Sequence, residues 1–236
     1  MVPIPFNDHI RRQTFWAATL ALIVANTLVF IYELSLGPLL NRLVFTFAVI
    51  PANYTTPHGL AARGPAGLFL PIFISMFLHA GWLHLIGNML FLFVFGRSIE
   101  DRYGHGNFLI IYFVGGLAAA LTHIFFNAGS RVPTVGASGA IAAILGAYFV
   151  CFPAARISTL IWIVIFFWRV EIPAVFILGY WFVIQFVAAN MEHLNIQSAT
   201  QGGTAWWAHV GGFIVGAALA LILQPRRANA PIQYLD

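Results

Sequence analysis

Long runs of apolar residues alternate with short polar segments along most of this chain of 236 residues. Six of the runs are interpreted as membrane-spanning helices, since crossing the hydrocarbon core takes roughly 20 mainly apolar residues. Each run is bounded by a charge, a proline or a glycine-rich stretch that would end a helix. The predicted spans lie near 14–34, 80–98, 107–126, 138–152, 172–190 and 206–224.

Two further apolar stretches are short for a span of their own. Gly67 to Leu78 is interrupted by Pro71, and Ile157 to Trp168 is followed by charges and a proline. Both are predicted to lie at the membrane interface or to dip partway in, with the alternative that either lengthens the span beside it. The pattern predicts an all-α polytopic membrane protein, a bundle of six transmembrane helices forming a single domain over 1–236.

Composition agrees with this interpretation, because 61% hydrophobic and 8% charged residues leave too few charges to coat a soluble globule. All eleven basic residues are arginine and most lie near predicted helix ends. They indicate anchoring at the membrane surface and no nucleic-acid partner. The single cysteine, Cys151, excludes an intramolecular disulfide, and no Cys/His cluster has the spacing of a zinc site, so neither metal nor cofactor is expected.

The arginines also predict the orientation. With a cytoplasmic N-terminus, eight would face the cytoplasm and three the outside, a split that favours this topology over its inverse. The cytoplasmic set is Arg11, Arg12, Arg97, Arg102, Arg156, Arg169, Arg226 and Arg227, and the outer set is Arg42, Arg63 and Arg131. Both termini are then cytoplasmic, and the first span lacks the cleavage site of an export signal.

In this topology the second, fourth and sixth helices start at the outer face, and polar residues lie at those starts. His79, His84 and Asn88 open the second helix, Ser138 opens the fourth, and His209 is a few residues into the sixth. At 1.5 Å rise per residue all five would lie within roughly 15 Å of the outer surface. Polar groups are costly in hydrocarbon, so we interpret this constellation as a functional site.

Small residues recur on the helices that carry Ser138 and His209. The sixth helix has a small residue at every fourth position: Ala208, Gly212, Gly216 and Ala220. The fourth helix has a matching stripe: Gly139, Ala143 and Gly146. Such stripes let helix backbones approach closely in lipid. Packing them together would bring Ser138 towards His209.

A serine hydroxyl needs a base within about 2.6–3.2 Å to become a nucleophile, and His209 is the candidate base. The acidic residues lie near predicted helix ends, so the pair would be a Ser-His dyad without an acid. The Asn88 amide, a His84 ring N–H and the Ser138 backbone N–H are candidate donors to a tetrahedral oxyanion. The residues therefore predict hydrolysis of peptide bonds within the bilayer.

Four blocks of sequence carry a family resemblance. They are residues 79–88 (HAGWLHLIGN), Glu100 with Gly104, residues 136–139 (GASG), and Ala208-His209 with Gly212. In this order they resemble the rhomboid intramembrane serine proteases, over roughly residues 15–224. The resemblance implies cleavage of single-pass transmembrane proteins at small residues near the outer face, and a lateral gate between the second and fifth helices.

Carried over residue by residue, the resemblance implies Ser138 as nucleophile and His209 as general base. It also implies His84 and Asn88 as oxyanion-hole side chains and His79 as a nearby structural histidine. Gly136, Gly139 and Gly212 lie in the matching blocks and are expected to be structural residues near the site.

The chain departs from the family pattern at two places. Leu70-Pro71 stands where many members have a tryptophan-arginine pair, and Ala142 stands where many have an aromatic residue against the catalytic histidine. Another group, such as a tryptophan, is then needed to hold the His209 ring.

Two other classes of function were weighed. A non-catalytic protein that binds transmembrane helices would tolerate loss of Ser138 or His209, yet both are present. A transporter or channel would need polar residues through the whole span, and the inner halves offer none. The expected location is a bacterial plasma membrane, with a eukaryotic organelle as the alternative, and the expected partners are transmembrane substrates and lipids.

Overall fold

The structure, a computed structural model, describes residues 3–163, 166–194 and 204–226; Arg227 of the predicted cytoplasmic set lies outside them. The helices are α1 (Ala17–Ser35), α2 (Leu40–Phe47), α3 (Ala52–Thr55), α4 (Pro57–Ile74), α5 (Trp82–Phe91), α6 (Arg97–Phe126), α7 (Ser138–Cys151), α8 (Ala174–Leu194) and α9 (Trp206–Ile222). The strands are β1 (Pro3–Asp8), β2 (Arg156–Ile163) and β3 (Phe166–Pro173).

The predicted polytopic helical bundle is confirmed, and its helices follow the predicted spans to within a few residues. From Trp82 to Phe126, α5, a π-type turn and α6 form one apolar run of 45 residues. At 1.5 Å per residue this run is about 68 Å long, twice the thickness of the hydrocarbon core. Gly104 bends it with a φ of 77°. The run therefore accounts for both the second and the third predicted span.

The stretch Gly67–Leu78 belongs mostly to α4 and to the 3₁₀ turn Ser75–Phe77 that follows it. By length and composition the combined run Pro57–Phe77 qualifies as a membrane span. However, Gly64 breaks it with a φ of 61°. The part after the break, residues 65–77, extends only about 20 Å, two thirds of the hydrocarbon core, as suits a segment that dips partway in.

The stretch Ile157–Trp168 lies mostly in the antiparallel strands β2 and β3, elements that the all-α prediction did not include, and its residues 164 and 165 lie outside the described residues. β2 pairs antiparallel with β3 from Arg156↔Pro173 to Ile163↔Phe166. β1 adds to the other edge of β2, with an irregular register between Pro5 and Asn7. Isoleucine, threonine and aromatic residues favour strands. Because β2 follows the last turn of α7, the sheet lies at the end of α7 away from Ser138. α8 begins directly after β3.

The core of the bundle is α7, which is buried continuously from Gly139 to Tyr148. Its backbone touches that of α9: a Cβ added to Gly212 would overlap the carbonyl oxygen of Gly139, and one added to Gly216 would overlap that of Ala143. Glycine is required at these contacts because any side chain would separate the two helices. This contact fixes the start of α7 beside the start of α9.

Buried acids hold the other end of the bundle together. The Glu100 carboxylate accepts hydrogen bonds from the backbone N–H groups of Ala18 (2.8 Å) and Thr19 (2.7 Å). It therefore caps the N-terminus of α1, where the helix leaves N–H groups unpaired and favours negative charge. Asp8 of β1 accepts from the Tyr148 hydroxyl at 3.0 Å. These bonds anchor α1 and β1 and leave the opposite end of α7 open for the candidate site.

Candidate active site

Ser138 is the first residue of α7, and the chain enters it through a tight turn. Gly136 has a φ of 127°, which favours glycine, and its N–H donates to the Ser75 carbonyl at 2.8 Å. A Cβ on Gly136 would lie 2.6 Å from Cε1 and 2.8 Å from Nε2 of His84. Glycine is needed here both for the backbone conformation and for the close approach of the His84 ring.

Ser138 and His209 are in direct contact. The Ser138 Oγ lies 2.8 Å from His209 Nε2, within the range of a good hydrogen bond. His209 lies in the first turn of α9 and is only 7% exposed. The two residues are 71 positions apart in sequence and join α7 to α9. A hydroxyl in contact with an imidazole is the arrangement that serine hydrolases use to form a nucleophile.

Gln185 of α8 contacts the other nitrogen of His209, and the sequence analysis missed it. The Gln185 Oε1 lies 2.6 Å from His209 Nδ1. Two indole rings also face the imidazole, with centroid distances of 5.7 Å for Trp181 and 6.4 Å for Trp206. These tryptophans are therefore candidates for the group that holds the His209 ring in place of an aromatic residue at Ala142. The available signal for Gln185 is an amide within an apolar span, one helical turn after Trp181.

His84 of α5 presents its Nε2 towards the turn before Ser138. Its Nδ1 accepts a hydrogen bond from the Ala80 backbone N–H at 3.4 Å. In a neutral imidazole the other nitrogen then carries the proton. Nε2–H is therefore a donor that points at the space above Gly136.

Asn88 lies one turn after His84 on the same face of α5 and is 8% exposed. Its Nδ2 is buried, and no hydrogen-bond partner for it occurs in the part of the chain that the structure describes. A buried donor without a partner is rare, and in a native structure it calls for an explanation. A Cβ added to Gly136 would lie 3.7 Å from this Nδ2, so the donor is on the same side of the turn as His84.

His79 lies just before α5, and its ring packs against that of His84 at a centroid distance of 5.2 Å. Its Nδ1 is 3.2 Å from the Phe77 carbonyl. Its backbone N–H donates to the buried carboxylate of Glu33, at 3.1 Å to the nearer oxygen. Glu33 lies in the last turn of α1, and its contact with the His79 backbone joins segments 46 residues apart, so no local sequence pattern reveals it.

A cavity of about 730 Å³ lies over these groups. α5 forms one wall with His84 and Asn88, α8 contributes Trp181, and Ser138 and His209 are in the lining. Towards the interior the lining becomes apolar, with Phe91, Ile141 and Leu145. The cavity is therefore polar at the end that holds the Ser138–His209 pair and apolar at its other end.

Among residues 3–163, 166–194 and 204–226, no group of three or more His, Cys, Asp or Glu side chains could hold a metal ion. The remaining predicted site glycines are structural contacts. A Cβ on Gly139 would lie 2.6 Å from the Cβ of Ala119 in α6, while Gly212 faces the Gly139 carbonyl. The structure thus brings the five polar residues and the three glycines to one end of the bundle.

Comparison with known proteins identifies the family. A family model described as the Rhomboid domain matches residues 67–226, about two thirds of the chain. This protein belongs to the rhomboid family. The match runs from the second half of α4 to the end of α9, and so it contains every side chain of the Ser138–His209 cavity.

This rhomboid chain is similar in sequence to both bacterial and organellar proteins. It is 30% identical to rhomboid protease AarA of Providencia stuartii, over 89% of this chain and 74% of that protein. It is 34% identical to rhomboid protease GluP of Bacillus subtilis, over 46% of this chain and 22% of that protein. It is 27% identical to the chloroplastic rhomboid-like protein 11 of Arabidopsis thaliana, over 72% and 61%. The chain thus spans less than two thirds of the latter two relatives.

Proposed function

We propose that this rhomboid protein is an intramembrane serine endopeptidase that uses Ser138 as nucleophile and His209 as general base. The observation that carries the proposal is the 2.8 Å contact between Ser138 Oγ and His209 Nε2 at the polar end of a large cavity. Two relatives named as rhomboid proteases, in Providencia stuartii and Bacillus subtilis, support the same activity.

In the first half of the reaction, His209 Nε2 takes the hydroxyl proton as Ser138 Oγ attacks the peptide carbonyl carbon. The tetrahedral intermediate collapses when the C–N bond breaks, and His209 gives the proton to the leaving amine. In the second half, His209 deprotonates a water molecule that attacks the acyl-serine ester, and Ser138 is released with its proton restored. The Ser138–His209 distance supports both proton transfers.

We propose that three hydrogen-bond donors around the Gly136 turn stabilise the oxyanion of these intermediates. Ser138 opens α7, so its backbone N–H has no partner within the helix. His84 Nε2–H points at the same space, and the buried Asn88 amide has a free donor among the described residues. Losing one such donor typically lowers the rate about 10²–10³-fold.

We further propose single-pass transmembrane proteins as substrates, entering between α5 and α8 and cut near the outer face of a bacterial plasma membrane. The cavity wall formed by α5 and Trp181 supports this route. The excess of arginines at the end of α7 away from Ser138 supports cytoplasmic termini. The bacterial relatives support the location.

The test is cleavage of a single-pass reporter by the purified protein in liposomes. Ser138→Ala and His209→Ala should each lower kcat by about 10⁴-fold or more, to background, because neither residue can act without the other. Ser35→Ala and His58→Ala, at exposed residues outside the cavity lining, are the matched controls and should cleave like the wild type.

A fluorophosphonate probe provides a readout that needs no substrate. It should label the wild type at Ser138 and leave folded Ser138→Ala protein unlabelled. Failure of the wild type to cleave several reporters, together with absence of labelling at Ser138, would refute the protease and favour a protein that binds transmembrane helices.

A further inference from the structure

Gln185 is a buried amide on α8, and the residues around it on this helix are mainly apolar. Its side chain is 6% exposed, and Oε1 lies 2.6 Å from His209 Nδ1. Burying an amide costs free energy unless it forms hydrogen bonds, so the bond to His209 explains why a glutamine is tolerated here. Trp181, one turn earlier on the same face of α8, packs on the same imidazole.

This contact determines which imidazole nitrogen carries the proton. An amide oxygen only accepts hydrogen bonds, so His209 Nδ1 must be the donor. The lone pair of the neutral ring is then on Nε2, 2.8 Å from the Ser138 hydroxyl, which donates to it. In the opposite tautomer Nε2–H would donate to Ser138, and no base would be available to the nucleophile.

We propose that Gln185 is the positioning residue of the active site, a neutral counterpart of the acid in a Ser-His-Asp triad. The proposal rests on the proposed protease function. A carboxylate on α8 would be costly within the membrane, whereas an amide holds the ring without a net charge. The amide oxygen also keeps its bond when His209 becomes an imidazolium, with the negative end of the amide dipole towards the new charge.

The geometry of α8 makes this role specific to one residue. Gln185 reaches past the ring edge to Nδ1, while Trp181 packs on the ring at a centroid distance of 5.7 Å and an interplanar angle of 36°. The tryptophan limits the tilt of the ring, and the amide selects the tautomer. We therefore expect another residue with a hydrogen-bond acceptor to substitute for Gln185, but not for Trp181.

Two substitutions separate acceptor chemistry from packing. Gln185→Leu keeps much of the volume and removes the acceptor, while Gln185→Glu keeps both length and an acceptor oxygen. Loss of one buried hydrogen bond that orients a catalytic group predicts a kcat about 10–100-fold lower for Gln185→Leu, with KM changed less than about 3-fold. Gln185→Glu should recover most of that loss in kcat, with the cost of the buried carboxylate appearing as lower stability. Val183→Ala, on the exposed face of α8, is the control and should cleave like the wild type.

A kcat for folded Gln185→Leu equal to that of the wild type would overturn the positioning role while leaving the protease intact. Equal losses in folded Gln185→Leu and Gln185→Glu would also overturn it, because an acceptor oxygen at this position would then not restore activity. A wild type that cleaves none of several reporters and is not labelled at Ser138 would overturn the protease and the positioning role together.

A spectroscopic measurement tests the tautomer without any substrate. In protein with ¹⁵N-labelled histidine, the resonances assigned to His209 by their loss in His209→Ala should show a protonated Nδ1 and an unprotonated Nε2. Gln185→Leu should shift the population towards the other tautomer, and Gln185→Glu should not. An unprotonated Nδ1 in the wild type, or the same spectrum in Gln185→Leu, would refute the proposal.

Discussion

At the scale of single residues, the site contains a donor that the folded chain leaves unpaired. The Asn88 Nδ2 is buried and finds no acceptor within the described segments of the chain. An unsatisfied buried donor costs about 1–3 kcal/mol of stability. Such a cost is reasonable at a functional site, where the donor is held ready for charge that develops only during the reaction.

We therefore expect Asn88→Ala to lower kcat by about 10²-fold, because one oxyanion donor is lost, with little change in KM. The free energy of unfolding should stay the same or rise by up to about 1 kcal/mol, since an unpaired donor is removed. Steady-state cleavage in liposomes and unfolding in mixed micelles measure the two effects. An increase in KM at constant kcat would assign Asn88 to substrate binding instead.

At the scale of helices, contact between backbones holds the reacting pair in place. Gly212 and Gly216 of α9 lie against the Gly139 and Ala143 carbonyls of α7. In lipid, such close packing of small residues is a main source of helix association. Because Ser138 opens α7 and His209 lies in the first turn of α9, a shift between these helices changes the distance between the two side chains directly.

Gly212→Ala should therefore destabilise the protein by about 1–3 kcal/mol, the usual cost of overpacking, and should also lower kcat. The matched control is Gly106→Ala in α6, where an added Cβ would meet no atom within 4 Å. Chemical unfolding in mixed micelles compares the two variants. Equal stability of Gly212→Ala and Gly106→Ala would contradict the proposed contact between α7 and α9.

These elements also indicate what can be predicted from the sequence. The spans and the small-residue stripes follow a helical period, so they are visible in a single sequence. Most of Ile157–Trp168 forms strands, which the sequence did not predict. A short uncharged apolar run has the same sequence pattern whether it forms a buried helix or a strand. Gln185 and Glu33 act through contacts 24 and 46 residues away, and their partners have no local pattern.

At the scale of the whole molecule, the two ends of the bundle differ in chemistry. The end that begins α7 holds Ser138 and the polar cavity. The end after Cys151 holds the sheet and the buried acids Asp8 and Glu100, together with most of the arginines. By the positive-inside rule we propose that this second end is the cytoplasmic one. If so, hydrolysis takes place near the outer face of the membrane.

Cysteine accessibility tests this orientation in a Cys151→Ala background, which removes the only native thiol. Ala128→Cys lies in the exposed loop before α7, and Ala154→Cys lies in the exposed turn after it. Neither change alters a charge, so the topology signal is preserved. In intact spheroplasts a membrane-impermeant maleimide should label Ala128→Cys at once and Ala154→Cys only after lysis. The reverse pattern would put the Ser138 cavity at the cytoplasmic face, and cleavage would then release substrate domains inward.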